Sequence, residues 1–170
     1  DITAPKAPGK VVSVVTKGGS DMAADGEGET KLSKSQKALA RQLRERMTDS
    51  LLPSEAALPD ERLSEAAEFL LEAALVRAED EPSILLRSAP GGRVMRVAVV
   101  NDDMPFLVDS VASAFAAQGL EIDLLVHPIV PVERARGKLV ALPAASKQCE
   151  SMIYLETARV DAKDRRALEK

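Results

Sequence analysis

Residues 93–100 read RVMRVAVV, a run rich in β-branched side chains and apolar on both faces. Side chains alternate across a strand, so Met95, Val97 and Val99 point one way and Val94, Ala98 and Val100 the other. A strand of this kind must be covered on both sides, because an exposed apolar sheet face is an association site. That requirement limits the chain to layered folds in which a sheet lies between two coverings.

The segments downstream supply one covering and further strands. Residues 104–118 predict a helix, with Leu107, Val111 and Phe115 in one line and Val108 and Ala112 beside it. Gly119 is placed to close it with a positive φ. Residues 120–132 predict a second strand, ended by Pro131 and the charged loop 133–137. Residues 139–142 predict a small β extension and residues 151–160 a third strand. Asp161 is placed to cap a last helix running to Lys170. The order strand, helix, strand, strand, helix is the ferredoxin-like double βαβ unit without its final strand. The expected class is therefore α+β, with an unpaired sheet edge and a natural chain continuing past Lys170.

Upstream, residues 83–87 predict a short strand and Pro90-Gly91-Gly92 a turn. Two helices precede them. The first begins near Ser33, where Ser33-Lys34-Ser35-Gln36 fits a capping box, and carries the stripe Leu39, Leu43, Met47. Its other positions are basic: Lys34, Lys37, Arg41, Arg44 and Arg46. These are read as a solvated face or one that meets an acidic partner. The second runs from about Pro59 to about Arg77, with Leu63, Ala67, Leu70 and Ala74 in a stripe widened by Phe69, Leu71, Leu75 and Val76. Residues 1–30 are Gly-rich, acidic and aperiodic, which predicts a flexible tail. Within it, residues 11–15 read either as a strand that adds to a sheet edge or, as is commoner for such a run, as a segment with only local β preference. The expected organisation is a tail (1–30), a helical segment of two helices (31–80) and an α+β domain truncated at its C-terminus (83–170). These helices or another subunit must cover the second sheet face, and a dimer or larger assembly is expected.

The net charge is −4, which argues against nucleic acid as a partner. No apolar run approaches the ~18 residues of a membrane span, and the first residues do not form a signal peptide. One cysteine, Cys149, can make neither an internal disulfide nor a thiolate zinc cluster, which suggests a cytoplasmic, reducing compartment. Aromatics are 2% of the chain, so the core must be aliphatic.

The informative stretch is residues 99–130, VVNDDMPFLVDSVASAFAAQGLEIDLLVHPIV. Asn101-Asp102-Asp103-Met104-Pro105 falls between a strand and a helix start. Asp102 or Asp103 can cap the helix there and Pro105 suits its first turn. By spacing alone, ordinary capping and a ligand pocket are both open. The pattern D-x-P-x-L after a strand, then G-L-x-I opening the next, resembles an ACT domain. The longer string NDDMPFLVDSV, with HPIV and ESMIYLE, resembles the N-terminal region of the large bacterial NAD-dependent glutamate dehydrogenases. The similarity spans roughly residues 32–170.

The resemblance implies a regulatory and assembly segment whose parent enzyme oxidatively deaminates L-glutamate to 2-oxoglutarate with NAD, in amino-acid catabolism. The alternatives are a free-standing amino-acid sensor and a purely structural oligomerisation domain. Catalytic and NAD-binding residues are expected elsewhere in the parent, since no Gly-x-Gly-x-x-Gly string is present. The implied partners are downstream domains of the same polypeptide, further copies of the chain and a candidate amino-acid effector. The effector or interface loop would comprise Asn101, Asp102, Asp103, Met104, Pro105 and Phe106. Many amino-acid-binding ACT domains carry glycine where this chain has Phe106. A buried Phe106 ring would crowd the loop, so Phe106→Gly is expected to open it to small carboxylates at a cost of ~3–5 kcal/mol or more.

Other candidates carry little. His127 is the only histidine and has no assignable acid–base partner. Asp102, Asp103 and Asp109 are read as capping and solvated groups, not as metal ligands, and Cys149 has no assignable base.

Overall fold

A computed structural model describes residues 31–51 and 58–158. The expected tail (1–30) and last helix (from Asp161) lie outside the described residues. The elements are α1 (Lys34–Ser50), α2 (Asp60–Ala74), β1 (Ser83–Ser88), β2 (Val94–Asp102), α3 (Leu107–Ala117), β3 (Ile122–Val126), β4 (Ile129–Pro131), β5 (Glu133–Ala135), β6 (Lys138–Ala141) and β7 (Cys149–Ala158). The α+β class stands. The main sheet runs β1-β2-β7-β3, with β4 also paired to β7, and every pairing is antiparallel. Among the described residues, no helix is long and apolar enough to cross a membrane.

The two faces of β2 divide as their alternation requires. Met95, Val97 and Val99 join Ile153, Leu155 and Phe115 in a cluster under α3. Ala98 and Val100 join Met152, Tyr154, Val126 and Val130 in a larger cluster with α1 and α2. Leu43, Met47, Leu70, Leu71 and Ala74 are fully enclosed there. The second sheet face is thus covered by the chain's own N-terminal helices. The T-shaped contact of Phe69 with Tyr154 sits in this layer, where Arg96 lies over the Phe69 ring at 4.8 Å. Burial and the hydrogen bond to Glu156 push the Tyr154 phenol above its ordinary range.

The expected free edge beside β2 is occupied. β1 pairs with β2 from Ser83↔Val100 to Ser88↔Met95, through the tight turn at Gly91 and Gly92, both at positive φ. The strand read upstream of the βαβ unit therefore fills the position next to β2. Arg87 on β1 makes a two-pronged bond to Glu72 on α2, at 2.9 and 2.7 Å, which fastens this edge to the helical layer.

The long strand predicted over residues 120–132 is divided into β3 and β4; its register shifts once, between Ile122 and Leu124, and then carries across the gap. Val126 faces Tyr154 and Ile129 faces Ser151. The gap falls at Pro128, which has no N–H to give to the ladder, although its carbonyl still accepts from Met152 N at 3.0 Å. The third strand starts at Cys149, two residues earlier than expected. α1 opens with the expected capping box, Ser33 with Gln36. Gly119 at φ 69 closes α3, with Leu120 N donating to Phe115 O and Gly119 N to Ala116 O, a Schellman motif.

α2 ends at Ala74, short of the expected Arg77, because the next residues are recruited by a hairpin. Leu139 N donates to Leu75 O, Val76 bridges Lys138, and Arg77 N donates to Gly137 O. That hairpin is β5–β6, turning through Arg136 and Gly137, both at positive φ. At Gly137 a Cβ would stand 2.8 Å from the Arg77 carbonyl oxygen, so the site requires glycine for space as well as for φ.

Beneath this junction lies an enclosed charge cluster. Glu150 is completely buried. Arg77 donates to its Oε1 through Nε and Nη2, and Arg134 grips both its oxygens at 2.6 and 2.8 Å. Arg77 also donates to Asp102 and to the Glu81 carbonyl, and Arg134 to the Gly137 carbonyl. Burial opposes the Arg77 charge, but Glu150 and then Asp102 outweigh it and hold the guanidinium above its ordinary value. Glu150→Ala would leave two enclosed cations facing each other. It is expected to destabilise the chain by about 3–5 kcal/mol, read as a lower denaturation midpoint in urea.

Candidate functional site

Residues 103–106 join β2 to α3 and form one wall of a groove of about 380 Å³, which Asn101 and Asp102, at the end of β2, do not line. Asp103, Met104, Pro105, Phe106, Val108 and Asp109 contribute from this side, and His127 and Ile129 from the β3–β4 strand line. The neighbouring strand position of β7 brings the two walls together. Asp103 N donates to Cys149 O at 3.2 Å, and Ser151 Oγ donates to Asp103 Oδ1 at 3.0 Å.

The acidic pair does not cap α3. Asp102 accepts from Arg77 Nη2 at 2.6 Å and Asp103 from Ser151, so both look back into the sheet. The helix begins at Leu107, later than the expected Met104, and Pro105 precedes its first turn. Phe106 occupies the N-cap position at φ 66, with no side-chain cap to the helix. A left-handed residue cannot continue a right-handed helix backwards, which explains the late start. Asn101 turns its carbonyl Oδ1 to the Asp102 N–H at 2.9 Å.

Phe106 is not the buried plug expected of it. Its side chain is 75% exposed, and Met104 (47%) and Ile129 (52%) are exposed beside the same groove. Three large apolar side chains thus crowd around one turn, flanked by Asp103 and Asp109. His127 lies in the groove wall with a buried Nε2 that has no hydrogen-bond partner among the described residues. Burial lowers the His127 pKa below its ordinary value, against a smaller upward pull from Asp103.

Residues 91–170 match the family described as glutamate dehydrogenase, ACT1 domain. This segment is an ACT-like region of a glutamate dehydrogenase. Neither a curated protein nor a solved structure matches the chain. The ACT1 match takes in β2 through β7 and the whole candidate loop, while β1, α1 and α2 lie outside it. In function the ACT1 segment is regulatory within that enzyme.

The remaining candidates stay apart. Asp109 is exposed in the first turn of α3 while Asp102 faces Arg77, and among the described residues no group of three or more His, Cys, Asp or Glu could hold a metal ion. Cys149 is partly buried and contacts the Ser146 carbonyl. The buried Arg77–Glu150–Arg134 cluster was not singled out in the sequence. Its one signal is an acidic residue, Glu150, just ahead of the apolar run Met152–Leu155.

Two outcomes follow from the loop. Phe106→Gly removes an exposed ring and relieves a left-handed non-glycine residue, a strain of roughly 1–2 kcal/mol, partly offset by glycine's greater freedom in the unfolded chain. Thermal unfolding is expected at or slightly above the wild-type temperature; a loss of more than about 1 kcal/mol would mean that the ring supports the fold. For His127, the unfolded chain takes up a proton near the ordinary imidazole value of 6.5, and the folded chain does so only at lower pH. Its contribution is complete above that value and is lost as pH falls through the depressed folded pKa. Comparing His127→Gln with wild type in urea between about pH 7 and about pH 5, the variant is expected to show the shallower decline.

Proposed function

We propose that the chain is a regulatory and assembly segment of an NAD-dependent glutamate dehydrogenase, and that copies of it associate through the strand-to-helix turn before α3. The parent reaction would be oxidative deamination of L-glutamate to 2-oxoglutarate in the cytoplasm. The observation that carries the assembly reading is the exposed trio Met104, Phe106 and Ile129 around a single groove within the ACT1 segment. Contiguous exposed apolar side chains rimmed by polar ones mark contact surfaces. With both sheet faces partnered, this turn is the better candidate for contact than the sheet itself.

NAD would be bound by downstream domains of the same polypeptide. A dinucleotide site uses glycines at a strand-to-helix turn of a parallel sheet. Here Gly91 and Gly92 lie in a hairpin turn between antiparallel strands, so these residues do not fit the cofactor.

A second reading, an amino-acid effector seated in the groove, draws on two features. The first-turn donors of α3 have no side-chain cap, and the His127 Nε2 is buried without a partner. Asp103 and Asp109 in the lining disfavour a carboxylate ligand, which ranks this reading below assembly.

Sedimentation at micromolar concentration tests the leading reading. The wild-type chain is expected to run as a dimer or larger, and Ile129→Asp together with Met104→Asp to run smaller with unchanged thermal unfolding. A monomeric wild type would overturn the assembly reading. An amino acid that raised the unfolding temperature in wild type but not in His127→Gln would favour the effector instead.

A further inference from the structure

A second cleft lies outside the ACT1 segment, between the two N-terminal helices. It has a volume of about 260 Å³ and is lined by Lys37, Ala40, Arg41 and Arg44 from α1 and by Ser64 and Glu68 from α2. Positions 37, 41 and 44 are four and three residues apart, so their side chains stack along one edge of the helix. Ala40, buried and small, leaves room beneath them.

The charges in this cleft are poorly balanced. Arg44 is held at 2.9 Å by Asp60, an exposed residue at the start of α2. Lys37 and Arg41 make no ion pair or side-chain hydrogen bond among the described residues, although Glu68 lines the same cleft. Like charges one turn apart on a helix repel. Lys37 and Arg41 are exposed and take no part in the core, which α1 joins through the adjacent face of Ala40, Leu43 and Met47. An anion between the helices would relieve the repulsion.

We propose that the α1–α2 cleft is a binding site for a small phosphate-bearing anion. Arg41 offers a planar fork suited to phosphate oxygens, Lys37 a compact point charge, and Ser64 a hydroxyl donor from the facing helix. Glu68 would face the uncharged or cationic part of the ligand and reject an anion that filled the whole cleft. Because the site spans both helices that cover one sheet face, occupancy stiffens that covering. It gives the chain a ligand response independent of the turn before α3.

The test uses the 170-residue chain, titrated with inorganic phosphate and with pyrophosphate at ionic strength matched by chloride. Saturable binding with a raised unfolding temperature is expected. Lys37→Gln combined with Arg41→Gln should weaken binding about tenfold or more, since two charge-assisted contacts are lost. Both side chains are exposed, so the double variant keeps the core. Glu68→Gln should bind phosphate more tightly than wild type. A response no larger than that of matched chloride, or equal binding by the double variant, would overturn the proposal. So would saturable binding of a glutamate-rich peptide with none of either phosphate, which would assign this face to an acidic protein.

Discussion

The enclosed carboxylate of Glu150 is the constraint on which the junction of the molecule depends. A carboxylate taken fully out of water must be paired and hydrogen-bonded on both oxygens, and Arg134 and Arg77 do this from two different parts of the chain. The consequences spread outward. Arg77 must stand just past the end of α2, so the helix stops early. Arg134 must lie in the β5–β6 hairpin, so the hairpin folds back over the helix end. Asp102 must turn toward Arg77, so it cannot cap α3. Such a cluster contributes little net stability compared with an apolar replacement, but its bonds tie helix end, hairpin and sheet to one another.

Two coverings and one occupied edge complete the sheet. α3 covers the face of Met95, Val97 and Val99, while α1 and α2 cover that of Ala98 and Val100. β1 closes the side of β2 that the ferredoxin-like pattern would leave open, and the Arg87–Glu72 pair fixes it to α2. The elements outside the ACT1 match thus complete the hydrophobic and hydrogen-bonding requirements of those inside it. What this packing leaves open is the groove beside the loop before α3 and the cleft between α1 and α2.

Much of this was legible in the sequence where a single local rule governs. The alternation along RVMRVAVV assigned Met95, Val97 and Val99 to one face and Ala98 and Val100 to the other, the Ser33–Gln36 box marked the start of α1, and Gly119 marked the close of α3. The errors arose where distant residues decide. Asp102 and Asp103 satisfy every local rule for a helix cap, yet Arg77 and Ser151, remote in sequence, claim them instead. Phe106 carried no signal of a left-handed backbone, because that conformation is normally announced by glycine or asparagine. The strand at residues 83–87 was correctly seen, but its place in the sheet is a matter of topology that periodicity does not encode.

The position of β7 has a consequence for how the chain is made. It lies between β2 and the β3–β4 line, and it is the last of the described strands to leave the ribosome. β1 and β2 pair locally through a short turn, whereas Val100 must wait for Met152. Until residues 149–158 emerge, the nascent sheet is a hairpin and a separate strand with an apolar slot between them. The slow step in folding is therefore a long-range closure, and the newly synthesised chain is most exposed to misassembly just before its centre is filled.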